Sequence, residues 1–206
     1  MGFVVNWTEH MAPFMGHPVK ATSLRAGRKT SRGEWVITPE GIEGGGVYEI
    51  SAAVRDGAQL TLDLMPDLSY NGVVARAKKR KSRQTFSQFL RKSVRLSPVK
   101  AALFQEFSQD LSLDTPETIA TIVKALPLLH QGPQSMDRAI STAGGLRFGK
   151  LNSSFMLSGQ PGIFAAGEML DWEAPTGGYL INGCLASGRA AGLGAVAWLA
   201  TGDQCF

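Results

Sequence analysis

The chain has 206 residues, a formal net charge of +4, 44% apolar and 18% charged side chains, and two cysteines. That length accommodates one or two domains with a real core, and those fractions are globular values that exclude general disorder. Cys184 and Cys205 have no partner at metal or redox spacing, and His10, His17 and His130 are scattered, so no metal site is expected. The first residues lack the basic region and apolar core of a signal peptide, and Asn6 breaks the myristoylation pattern. The run Ala190–Ala200 is too short and too glycine-rich to span a bilayer. A cytoplasmic protein that avoids membranes is the expectation.

Residues 1–65 read mostly as β. Val19–Leu24 and Trp35–Thr38 are strand-like, with a turn at Ala26-Gly27-Arg28 between them. Gln59–Leu64 alternates with period two, which predicts one buried and one wet face. Val47–Arg55 reads as a short helix stopped by Gly57. Gly44-Gly45-Gly46 would lie at its start, as a turn that brings the chain close to a neighbour or, secondarily, as an anion site.

Residues 66–135 read helical. Ser97-Pro98 and Thr115-Pro116-Glu117 are N-cap-plus-N1 signals, predicting helices that run to about Gln109 and Leu126. Ten basic residues and no acid fall between Asn71 and Lys100: Arg76, Lys78, Lys79, Arg80, Lys81, Arg83, Arg91, Lys92, Arg95 and Lys100. A solvated basic face is the first reading. Nucleic-acid contact, or recognition of an anionic substrate or dinucleotide phosphate, are the alternatives. No aromatic residue is interleaved within 76–83 to stack on bases.

Residues 162–192 carry the clearest chemistry. Gly162–Gly167 is an apolar run of strand length without polar alternation, predicting a strand covered on both faces. Glu168 or Asp171 at its end would accept hydroxyl donors, where open α/β sheets bind ligands. Thr176 is a candidate N-cap, and Gly177 and Gly178 leave the amides of a helix beginning near Tyr179 unobstructed toward an electron-rich ligand. Gly183, Ser187, Ala191 and Ala195 recur on one helical face and permit close approach. An ordinary strand–loop–helix, with glycines serving only the turns, is the alternative.

The stretch "GIFAAGEMLDWEAPTGGYL" (Gly162–Leu180) with "ASGRAAG" (Ala186–Gly192) resembles the C-terminal FAD-binding segment of a bacterial flavoprotein family, the NAD(FAD)-utilising dehydrogenases or aminoacetone-oxidase-like FAD-binding enzymes. Gly33–Gly57, Phe89–Val99, Ile122–Leu128 and Arg138–Leu146 resemble pieces of that family's inserted region and its return point. The resemblance implies an α+β and α/β architecture. Residues 1–65 would be the β-rich, barrel-like part of an inserted domain, and 66–135 its helical subdomain. Residues 136–206 would then be the C-terminal segment of a Rossmann-like FAD domain. It further implies FAD lying across the strand at Ile163–Ala166, with Gly167 at its end and Glu168 or Asp171 at the ribityl hydroxyls. The amides around Thr176, Gly177, Gly178, Tyr179 and Leu180 would face the pyrimidine end, with Asn182 a further polar contact. Trp172 and Tyr179 could line the ring, core packing being the alternative. The family's G-x-G-x-x-G turn is absent from these 206 residues. The expectation is therefore part of an FAD-dependent oxidoreductase that does not hold its cofactor alone and exposes apolar surface prone to self-association. No residue supports NAD(P), a substrate or a catalytic base. A non-enzymatic module, using the basic helical region for nucleic acid or a protein partner, is the competing reading.

Overall fold

The structure is a computed structural model that describes residues 1–81, 83–139, 141–174 and 178–201. The chain divides into two units, Met1–Ser135 and Met136–Phe206.

In the first unit eight short strands form two antiparallel sheets. The strands are β1 (Phe3–Val4), β2 (Pro18–Val19), β3 (Ser23–Ala26), β4 (Lys29–Ser31), β5 (Trp35–Thr38), β6 (Gly41–Glu43), β7 (Leu60–Asp63) and β8 (Leu126–Pro127). One sheet has the order β1-β6-β5-β2, the other β4-β3-β7-β8. Alternation sets the inner faces: Trp35 and Ile37, and Leu60 and Leu62, are buried, while their sequence neighbours are half-buried. The strand expected over Val19–Leu24 is two strands in different sheets. Ala21 takes a left-handed backbone (φ 51), and buried Thr22 accepts the Trp35 indole N–H at 3.1 Å, so the chain turns a corner there.

Helix α1 (Gly45–Arg55) begins two residues before the expected Val47 and contacts β3, β4, β5 and β6, capping both sheets. Gly46 serves close approach: a Cβ on it would strike the Gly33 carbonyl, and its amide donates to Glu34 O at 3.0 Å. Between β7 and β8 lie α2 (Tyr70–Ala77), α3 (Phe86–Phe89), a single π turn (Leu90–Val94), α4 (Pro98–Phe107) and α5 (Pro116–Lys124). The starts of α4 and α5 follow the Ser97-Pro98 and Thr115-Pro116 signals, and Thr115 and Thr118 form a reciprocal capping box. The helices end at Phe107 and Lys124, because Leu126 is taken up by β8. One continuous core runs from Phe3, Trp35 and Leu62 through Phe89, Phe104 and Val123.

Lys124 clasps the base of the helical excursion. Its ammonium pairs with Asp63 at 2.7 Å and donates to the carbonyls of Met65 and Leu68 at 2.9 and 2.8 Å.

The second unit is built differently. Its described residues contain 3-10 turns at Met136–Arg138, Phe148–Lys150 and Gly167–Met169 and the 22-residue helix α6 (Tyr179–Ala200). The strand expected over Gly162–Gly167 does not form. Gly162 (φ 83) and Gly167 (φ 73) leave the extended region, Ile163 is 48% exposed, and Phe164 makes only an isolated antiparallel bridge to Met156. Leu146 and Leu170 form an isolated parallel bridge. Ala165, Leu170 and Ala191 are the buried apolar residues among those described here. Ile181, Leu185, Leu193, Val196 and Leu199 of α6 are all more than half exposed. No described helix is long and apolar enough to cross a membrane.

Candidate functional site

The sequence-marked residues of the second unit gather around the first half of α6. Gly178 precedes the helix in a left-handed conformation (φ 84), and the intrahelical ladder starts with the Asn182 amide donating to Gly178 O at 3.2 Å. By helix geometry the amides of Tyr179, Leu180 and Ile181 have no intrahelical acceptor and carry the positive end of the dipole. Among the described residues, a Cβ added at Gly178 would meet nothing within 4 Å.

Behind it, α6 packs through its small face. The Gly167 amide donates to Ser187 Oγ at 3.0 Å, and Ser187 Oγ donates to Gly183 O at 2.7 Å. Trp172 donates its indole N–H to Gly167 O at 3.3 Å and lays its ring on Gly183, where any side chain would collide with it. Ala191, two turns beyond Gly183, is the buried residue of this helix. Gly183, Ser187 and Ala191 are three of the four small residues that the sequence places on one face. Phe148, Phe155, Leu170, Trp172, Gly183 and Ser187 wall a cavity of about 310 Å³.

The structure brings Trp172 to this cavity and leaves the other described candidates outside its walls. Glu168 is exposed, and its Oε1 accepts the Thr142 amide at 3.1 Å, so half of that carboxylate is engaged in pinning residue 142. Asp171 is exposed, with its amide donating to Leu146 O at 2.9 Å. Tyr179 and Asn182 are exposed and Leu180 is half-buried. Thr176 and Gly177 lie outside the described residues. Phe148 and Phe155 were not legible as site residues, because neither belongs to a periodic run. Ser187 was legible only as a small residue, since its bond to Gly167 spans 20 positions. An apolar, aromatic-edged cavity suits a flat ring, and exposed carboxylates beside a helix start suit a polyhydroxyl chain and an anionic ring edge.

In the first unit Gly44 and Gly46 serve the close packing of α1 against Trp35 and Gly33, while a Cβ on Gly45 would meet no described atom within 4 Å. The three histidines stand apart. His10 Nε2 lies 3.3 Å from Ala102 O and its Nδ1 3.3 Å from Glu106 Oε2; His17 faces the Phe14 ring; His130 tilts against Phe3. Burial pushes the His130 imidazole below its ordinary range.

Four of the ten basic residues are engaged within the fold. Arg76 Nη1 donates to Val94 O at 3.1 Å, Lys78 sits 3.6 Å from Glu117, and the Arg80 guanidinium lies over the rings of Phe86 and Phe89. Lys100 Nζ donates to the carbonyls of Ala21 and Leu64; burial pushes its ammonium down, opposed by Asp63 and Asp67. Asp67 is itself held below the usual carboxylate range by its hydrogen bond to Arg32.

Residues 1–141 match the family model described as the HI0933-like protein barrel and H2TH domain.

Proposed function

This chain belongs to the HI0933-like family of FAD-dependent oxidoreductase-like proteins, and from that premise we propose that it forms part of an FAD-dependent oxidoreductase, with residues 162–192 supplying one side of the flavin site. The observation that carries the reading is the helix start at Gly178: no described atom within 4 Å of a Cβ built there, first-turn amides without an intrahelical acceptor, and the Gly167–Ser187–Trp172 brace behind. The parallel pairing of Leu146 with Leu170, followed by a long helix, supports reading this unit as the C-terminal segment of a Rossmann-like domain.

The residues present fit one side of FAD. Asp171 and the unengaged oxygen of Glu168 are acceptors for ribityl hydroxyls, and the amides of Tyr179–Ile181 suit the pyrimidine edge. No G-x-G-x-x-G turn for the pyrophosphate occurs in the 206 residues. When bound, FAD supplies hydride or electron transfer, and the protein's part is orientation and electrostatics. The positive end of α6 favours negative charge at the ring edge it faces. Ser187 and Trp172 hold Gly167 in place, so the backbone beside the acidic loop is preset. The apolar walls around Phe148 and Phe155 offer one face of a ring an apolar surface to lie against. The narrower identity, an NAD(FAD)-utilising dehydrogenase, enters this proposal only through FAD.

A titration of FAD into the complete flavoprotein of which this chain is proposed to be part, read by flavin fluorescence, tests the placement. Gly178→Ala and Gly178→Trp impose the same backbone strain at φ 84. Only the tryptophan reaches beyond the Cβ, so it should weaken binding by about ten-fold more than alanine, a loss of roughly 1.4 kcal/mol. Equal affinities for the two variants would remove the flavin from this helix start.

A further inference from the structure

The basic run keeps six cations that the fold does not use: Lys79, Lys81, Arg83, Arg91, Lys92 and Arg95, all exposed. Among the described residues none of them has a carboxylate within ion-pair distance, and no acid lies between Asn71 and Lys100. Tertiary contacts collect them. Arg76 binds Val94 O, Arg80 lies over Phe86 and Phe89, and Ser93 Oγ donates to Gln84 Oε1 at 3.2 Å while Gln84 Nε2 donates to Gln88 O. These ties hold Arg80 and Gln84 beside α3 and the π turn, which brings Lys79, Lys81 and Arg83, their neighbours in the chain, to the side of the fold that carries Arg91, Lys92 and Arg95. A groove of about 490 Å³ opens there, walled by Ser87, Gln88, Arg91, Lys92, Leu96 and Pro98.

Arg95 adds a second sign. It holds a left-handed backbone (φ 69) immediately after the π turn, where glycine would sit without strain and an arginine does not. The turn is closed by the Leu96 amide on Leu90 O at 3.0 Å, and the exposed guanidinium makes no contact that the turn needs.

We infer that this surface, from Lys79 to Arg95, binds the phosphate backbone of a nucleic-acid duplex. Clustered, unpaired cations give affinity for closely spaced phosphates without reading sequence. Single-stranded targets fit less well, because Phe89 is buried and Phe86 lies beneath Arg80, leaving no aromatic face for a base. A membrane surface fits less well too: no large apolar side chain is exposed between Asn71 and Asp110 to enter the acyl boundary.

The test is fluorescence anisotropy of the full chain with a short labelled RNA duplex and the DNA duplex of the same sequence, across a salt series. The variant combines Arg91→Gln, Lys92→Gln and Arg95→Gly. A control of equal charge change combines Arg25→Gln, Arg28→Gln and Lys29→Gln, which are exposed residues of β3, β4 and the turn between them. The wild type should bind one or both duplexes with log K falling linearly in log salt. The variant should bind about ten-fold or more weakly at low salt, with a slope shallower by roughly two to three. It should melt at or above the wild-type temperature, because Arg95→Gly relieves strain. The control should retain most of the affinity. Better binding to RNA or to DNA identifies which duplex the surface prefers. The inference fails if the variant binds as the wild type does, if the control loses as much as the variant, or if anionic phosphatidylserine vesicles bind while neither duplex does.

Discussion

The two units of this chain bury their apolar residues to opposite extents. Met1–Ser135 closes a core in which Phe3, Trp35, Leu62, Phe89 and Phe104 are fully buried. Met136–Phe206 buries Ala165, Leu170 and Ala191 among its described residues, and leaves Ile181, Leu185, Leu193, Val196 and Leu199 more than half exposed along one helix. Composition does not separate them, since α6 is as apolar as any core helix. What differs is whether a facing layer exists within the unit. A helix whose apolar positions run all round it is built to be covered on several sides, and within its own unit α6 is covered on only one. The first unit therefore closes its own core, and the second, among its described residues, packs α6 through its small-residue face.

The sharpest way to break this comparison is a pair of matched truncations. Phe104→Ala should destabilise the chain by about 3–5 kcal/mol in urea unfolding, because it empties a fully buried site. Leu193→Ala, at 55% exposure, should stay within about 0.5 kcal/mol. Comparable losses for both would mean that α6 is packed as tightly as the core. Lys124→Met comes next. Its ammonium is mostly withdrawn from water and satisfies Asp63 and two carbonyls, so removal strips a half-buried carboxylate of its ion pair and leaves it the Met65 amide at 2.9 Å. A loss of about 1–3 kcal/mol confined to the first unit is expected, read by hydrogen exchange in α5 and β7.

The smallest effect concerns pH. Burial lowers the His130 pKa from 6.5, so the neutral ring is the form the fold favours. Its Nδ1 accepts the Gly132 amide at 3.2 Å, an acceptor that protonation removes. The unfolded chain binds this proton first as pH falls. The contribution is thus complete above pH 6.5 and is lost as pH drops through the folded value. Thermal melts from neutral to mildly acidic pH should show His130→Phe losing less stability than wild type. An identical decline in the two would dissociate His130 from acid sensitivity.

Legibility in the sequence tracks the same division. The cap signals Ser97-Pro98 and Thr115-Pro116 gave the right helix starts because capping is local chemistry, and Trp35–Thr38 and Gln59–Leu64 lie within a residue of β5 and β7. The corner at Ala21 was not legible, because it depends on Thr22 meeting Trp35 from another strand. Helix α2 was passed over within the basic run, although Ser69 caps it by accepting the Gly72 amide. In the second unit periodicity identified the face Gly183–Ser187–Ala191 correctly and misread Gly162–Gly167. A six-residue apolar run has the composition of a strand, but positive φ at both its ends is a backbone choice that glycine permits and sequence does not announce.

The pairing of β8 with β7 carries a kinetic consequence. Thr61 and Leu62 meet Pro127 and Leu126 as direct neighbours, yet every helix from α2 to α5 lies between them along the chain. Contacts of such separation form slowly, because the intervening segment must first contract before its ends can meet. Until residues 126–127 arrive, the β7 edge that they cover has no partner strand, so their pairing is expected to follow the docking of α2 on α5. Anything that delays that docking prolongs the life of an open strand edge, and chain synthesis itself enforces such a delay until residue 127 has emerged.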